Sequence, residues 1–72
     1  MNDRELVEWI AQARVGQALP SDVSKARAAV VMHQHGFRLP LGGEQWPHWC
    51  ADAQAYARRV VDSETWAADG LK

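Results

Sequence analysis

The 72-residue chain has room for one domain. Its formal net charge of −1 provides no basic surplus of the kind that neutralises nucleic-acid phosphates. A single cysteine excludes an internal disulfide and fits a reducing cytoplasm, and no apolar run approaches the roughly 20 residues needed to cross a membrane.

The charge is nearly even along the chain. Residues 1–40 sum to +1 and residues 41–72 to −2. The N-terminus, "MNDRELVEW", is charged and lacks the apolar core of a signal peptide. These features predict a cytoplasmic protein whose partner is another protein. Strand signals are sparse and alanine, the best helix former, is abundant, so the expected fold is all-α: a helical hairpin packed on a longer C-terminal helix.

The first helix is predicted from about Asp3 to about Ala18. Asn2 stands as N-cap and Glu5 three residues on, as in a capping box. Leu6, Val7, Ile10 and Ala13 share one face, with Trp9 at its flank. Gly16 weakens the last turn and "LPS" ends the segment.

The second helix is predicted from Asp22 to His35, with Ser21 as N-cap and Val23, Ala26, Val30 and His33 as its apolar stripe. Gly36 follows in the position that needs a left-handed backbone. A Schellman ending there would bring Phe37 back onto Met32. The short connection near Leu19–Ser21 makes the first two helices neighbours.

The third helix is predicted from about Glu44 to Asp69, with Pro47 in its first turn. Trp46, Trp49, Cys50, Ala53, Tyr56, Ala57, Val60 and Val61 follow a 3-4 pattern. The pattern is read as continuous through "DSET" (62–65), although Ser63 could cap a short final helix. Gly70 repeats the glycine device, with Leu71 folding back on Trp66. The far half of this helix would carry Val60, Val61 and Trp66 beyond the hairpin, which invites a second copy and predicts a homodimer, or a partner that takes that place.

Every histidine and the cysteine lie between residues 33 and 50. His33-x-His35, twelve residues, then His48-x-Cys50 reads as a string of four zinc ligands. On a helix, however, residues two apart point about 200° away from each other. Neither pair can grip one ion while helical, so no metal and no cofactor is expected. A small zinc-binding protein using His33, His35, His48 and Cys50 is the second alternative, open only if Gly36 and Pro47 distort those turns. A cysteine–histidine catalytic pair would also need an orienting acid and an oxyanion device, and none stands out.

Four tryptophans are the informative excess. They cannot all be hidden in so small a body, and exposed Trp, Tyr and Arg form interface hot spots. Trp9, Tyr56, Arg59 and Trp66 are the candidate partner-binding residues. The predicted function is a non-enzymatic interaction module: an adaptor, inhibitor or anti-activator of a larger protein. That profile is seen in accessory proteins of phages and mobile elements, although no motif carries the comparison. The alternative is a helix-turn-helix DNA-binding regulator, with Ser21, Asp22, Ser24, Lys25 and Arg27 at the start of a recognition helix. The charge balance and the missing turn glycine count against it.

Overall fold

A computed structural model describes residues 1–14, 17–63 and 65–66. Three α-helices carry the fold: α1 (Asp3–Gln12), α2 (Lys25–Gln34) and α3 (Trp46–Val61), the last preceded by a 3₁₀ turn at Gly43–Gln45. No strand occurs among the described residues. The all-α expectation holds, with the C-terminal helix the longest. α1 lies chiefly along α3 and touches α2 less extensively.

α1 begins as its sequence dictates. The Asn2 side chain accepts the Glu5 backbone N–H at 2.8 Å, and the Glu5 carboxylate accepts the Asn2 N–H at 3.3 Å. This reciprocal box satisfies two of the helix's orphan donors. Leu6, Val7, Ile10 and Ala11 are buried. The helix stops at Gln12, well short of Ala18, because Ala13 turns to an extended conformation. Its free C-terminal carbonyls find partners on α3. Arg58 Nε donates to the Ala11 carbonyl at 2.9 Å, and the Gln54 amide donates to the Ala13 carbonyl. Gly16 lies outside the described residues.

α2 begins three residues later than the sequence reading places it. Pro20–Val23 form a turn closed by Val23 N–H to Pro20 C=O at 3.0 Å. Ser24, not Ser21, is the N-cap, accepting the Arg27 N–H at 3.0 Å. Val23 and Ala28 are both buried and occupy the N′ and N4 positions of a hydrophobic staple. The connection between α1 and α2 is therefore longer than expected.

The buried face of α2 is also the opposite one. Ala28, Ala29, Val31 and Met32 are inside, whereas Ala26 and His33 are exposed and Val30 is 51% exposed; of the expected stripe only Val23 is buried. Alanine and valine surround this helix, so periodicity alone cannot choose a side. The ending chooses it. Gly36 has φ +93°, Phe37 N–H bonds to the Met32 carbonyl at 3.1 Å, and Gly36 N–H bonds to the His33 carbonyl at 2.9 Å. That is a Schellman motif, whose apolar contact carries Phe37 and Met32 into the core.

α3 ends at Val61, so the continuous helix to Asp69 is not formed. Ser63 takes the alternative role: its hydroxyl donates to the Val60 carbonyl at 2.7 Å and accepts the Trp66 N–H at 3.1 Å. A serine so placed satisfies a loose carbonyl and starts a new turn. The Gly70–Leu71 device lies outside the described residues.

Gly36 supplies a direct test of the corner. A Cβ there would sit 2.9 Å from the Tyr56 hydroxyl, on a backbone that L side chains rarely adopt. Gly36→Ala should lower stability in urea denaturation by about 1–2 kcal/mol. Gly43→Ala, where a Cβ meets nothing within 4 Å, should not. Equal stability of the two variants would contradict the corner geometry.

Candidate functional site

The histidine-rich stretch is a structural corner. Tyr56 from α3 donates its hydroxyl to the His35 carbonyl at 2.6 Å, and Trp49 Nε1 donates to the Arg38 carbonyl at 2.8 Å. His33 Nδ1 lies 3.0 Å from the Phe37 carbonyl. The Phe37 ring sits between Tyr56, at 5.1 Å between centroids, and Trp49, at 5.7 Å. Arg38 pairs with Asp52 on the outside. Among the described residues no three His, Cys, Asp or Glu side chains converge in a way that could hold a metal ion. His48 is exposed and Cys50 half-buried, in adjacent turns of α3.

The predicted interface residues divide. Trp66 is buried, at 8% exposure, contrary to its expected place on the surface. Arg4 spans it, donating from Nη2 to the Trp66 carbonyl at 2.7 Å with its guanidinium 4.0 Å from the ring centroid. The His35 ring packs against that of Trp66 edge-on, with 5.7 Å between ring centroids. The turn at Ser63 folds Trp66 back, so the apolar stripe expected beyond the hairpin is not open: Val60 and Val61 are half-buried. Tyr56 is held by its bond to His35 and its contact with Phe37. Arg59 is exposed on α3. Trp9 is half-buried against the core and meets the solvent beside a cavity.

That cavity is the most site-like feature of the described residues. It has a volume of about 440 Å³, within the range of ligand-receiving clefts. It opens between the C-terminal end of α1, the segment leading into α2 and the first turns of α3. Trp9 and Ile10 form one wall, Trp46 and Trp49 the other, and Val23, Ala28 and Ala53 the floor. Trp46 stacks on Trp49 at 5.0 Å with their planes 15° apart, which stiffens that wall. Leu19 closes one side. The exposed polar lining residues are Arg14, Gln17 and Lys25; Gln54 is half-buried. Lys25 Nζ lies 5.3 Å from the centre of the Trp46 ring, in reach of a cation–π contact.

Sequence reasoning missed Trp46 and Leu19 as site residues. Their exposure depends on where α1 stops, and no local signal in residues 3–14 marks that point.

Two of the residues expected to read DNA, Arg27 and Asp22, are engaged elsewhere. Arg27 Nη2 donates to the Met1 carbonyl at 2.6 Å and to Asp3 at 3.4 Å. Asp22 faces the N-terminal ammonium at 3.7 Å.

Cys50 lines the cleft. Burial pushes its thiol above the ordinary value, partly offset by the Lys25 charge. The thiolate is the reactive form, so iodoacetamide alkylation of Cys50 should reach half its maximal rate at a higher pH than alkylation of free cysteine. Lys25→Gln removes the opposing charge and should move that midpoint higher still. A midpoint at or below that of free cysteine would contradict the cleft environment.

No protein-family model, curated protein or solved structure matches the chain.

Proposed function

We propose that this chain is a non-enzymatic protein-binding module, working in a reducing cytoplasm as an adaptor, inhibitor or anti-activator of a larger protein. The carrying observation is the apolar cleft between α1 and α3, walled by Trp9 and Trp46. A hollow of this size accepts one or two apolar side chains, and tryptophans around it are the residue type that concentrates binding energy. Its walls rest on α-helices, so little ordering entropy is lost when a partner docks. The balanced charge favours a protein over a nucleic acid, and Arg27 is already occupied by the N-terminus.

The proposed anchors therefore keep Trp9, leave out Trp66 and add Trp46 and Leu19. Of the residues on which the homodimer expectation rested, Trp66 packs into the core of its own chain, with Val60 and Val61 against that core.

Ala18 is exposed at the cleft mouth, so Ala18→Trp obstructs the cleft without entering the core. Affinity capture from a host lysate, with bound proteins identified by mass spectrometry, should yield a protein retained by the wild type and reduced about tenfold or more by Ala18→Trp. Leu41→Ser, at a residue 89% exposed and away from the cleft, should retain it. Equal capture by wild type and Ala18→Trp would overturn the reading.

A further inference from the structure

The chemistry of the cleft rim restricts what can enter. Two cations, Arg14 and Lys25, stand among its lining residues, and no Asp or Glu does. In a chain of net charge −1 this is a local imbalance. It also contrasts with four cations of the described surface that stand against carboxylates, while Arg58 and Arg59, which have no such partner there either, lie outside the cleft lining. Arg4 pairs with Glu8, Arg27 with Asp3, Arg38 with Asp52 and the N-terminus with Asp22. Among the described residues neither Arg14 nor Lys25 joins a carboxylate in this way. Both are exposed at the mouth. Lys25 is placed over the Trp46 ring, so its charge stands at the edge of the apolar wall. Gln17 accepts the Arg14 backbone N–H at 3.1 Å through its side chain, which ties down the chain at the other cation.

We propose that the occupant of the cleft is a partner segment with an acidic face: an apolar side chain seated between Trp9 and Trp46, flanked by Asp or Glu that meets Lys25 and Arg14. This rests on the protein-binding reading and names the chemistry of the partner. The apolar anchor supplies the affinity by burial, and the carboxylates select among apolar segments by favouring acidic ones and repelling basic ones.

The test is selection of a displayed random twelve-residue peptide library on the immobilised protein. Each enriched peptide is then titrated in solution against wild type, Ala18→Trp and the double variant Arg14→Glu/Lys25→Glu. Arg14 and Lys25 are both exposed, so the double variant leaves the core intact. Circular dichroism confirms its helicity. Enriched peptides should carry an aromatic or aliphatic residue beside Asp or Glu and lose binding to Ala18→Trp. They should bind the double variant about tenfold or more weakly, since each exposed ion pair becomes a repulsion. Selection on the double variant should enrich Lys and Arg in the same positions. Cleft-blocked peptides without acidic bias, affinities unchanged by rim reversal, or no enrichment over bare support would each overturn the proposal. So would a dimer of the free chain that Ala18→Trp dissociates, which would seat a second copy in the cleft. If the lysate partner is lost with Ala18→Trp while selected peptides show no acidic bias, this inference alone fails. If Ala18→Trp keeps that partner, the reading beneath it fails.

Discussion

The structure depends on how the end of α1 is held against α3. A helix ends with carbonyls that have no partner of their own, and leaving such groups buried is costly. Here α3 provides the donors. Arg58 reaches the Ala11 carbonyl and Gln54 the Ala13 carbonyl. The backbone can then leave the helix at Ala13 while its polar groups stay satisfied. No buried side-chain nitrogen or oxygen lacks a partner among the described residues. Between the helices the contact is apolar and close. Ala53 and Ala57 on α3 are fully buried, as are Leu6 and Val7 on α1. Small residues on one helix let the large ones of the other come near. Had α1 run on toward Ala18, its last turns would have followed a different path from the present segment. The cleft walled by Trp9 and Trp46 exists because α1 stops where α3 can cap it.

The other end of the molecule uses the same device in reverse. The corner after α2 offers the carbonyls of His35 and Arg38, and α3 answers with the Tyr56 hydroxyl and the Trp49 indole. The aromatic excess is thus divided by task. Trp49 is buried at 3% exposure, and Trp66 is closed over by Arg4. Trp9 and Trp46 remain half-buried, with an apolar hollow between them. A chain this short has few fully buried positions. It spends polar side chains on backbone carbonyls to hold three helices together, and what is left uncovered is the surface through which it can act.

Much of this was legible in the residues themselves. The capping box at Asn2 and Glu5, the glycine at 36 and the return of Phe37 to Met32 are local devices with local signatures. They hold because nothing distant competes with them. The face of α2 was misread because alanine and valine ring that helix. Yet the Met32–Phe37 contact already implied that Met32 points inward, and Met32 and Val30 stand about 200° apart around a helix. The Schellman ending was the stronger signal. Ser21 lost to Ser24 because the staple of Val23 with Ala28 fixes the start of α2. The break at Ser63, and with it the burial of Trp66, turns on a cation from the far end of the chain. Arg4 and Trp66 are 62 residues apart. The cleft was the least legible feature, since the end of α1 is decided by Gln54 and Arg58, and no reading confined to residues 3–18 can include them.

The capping of α1 by α3 can be observed through a single proton. Arg58 and Arg59 are adjacent, exposed arginines in one helix, but only Arg58 Nε donates to a helix carbonyl among the described residues. Hydrogen exchange of the two guanidinium Hε protons, followed by nitrogen-15 NMR near neutral pH, compares them within one molecule. The Arg58 Hε should exchange measurably more slowly than that of Arg59, because it is held in a hydrogen bond. Equal, rapid exchange at both arginines would mean that α1 is not capped from α3, and the cleft would lose the constraint that shapes it.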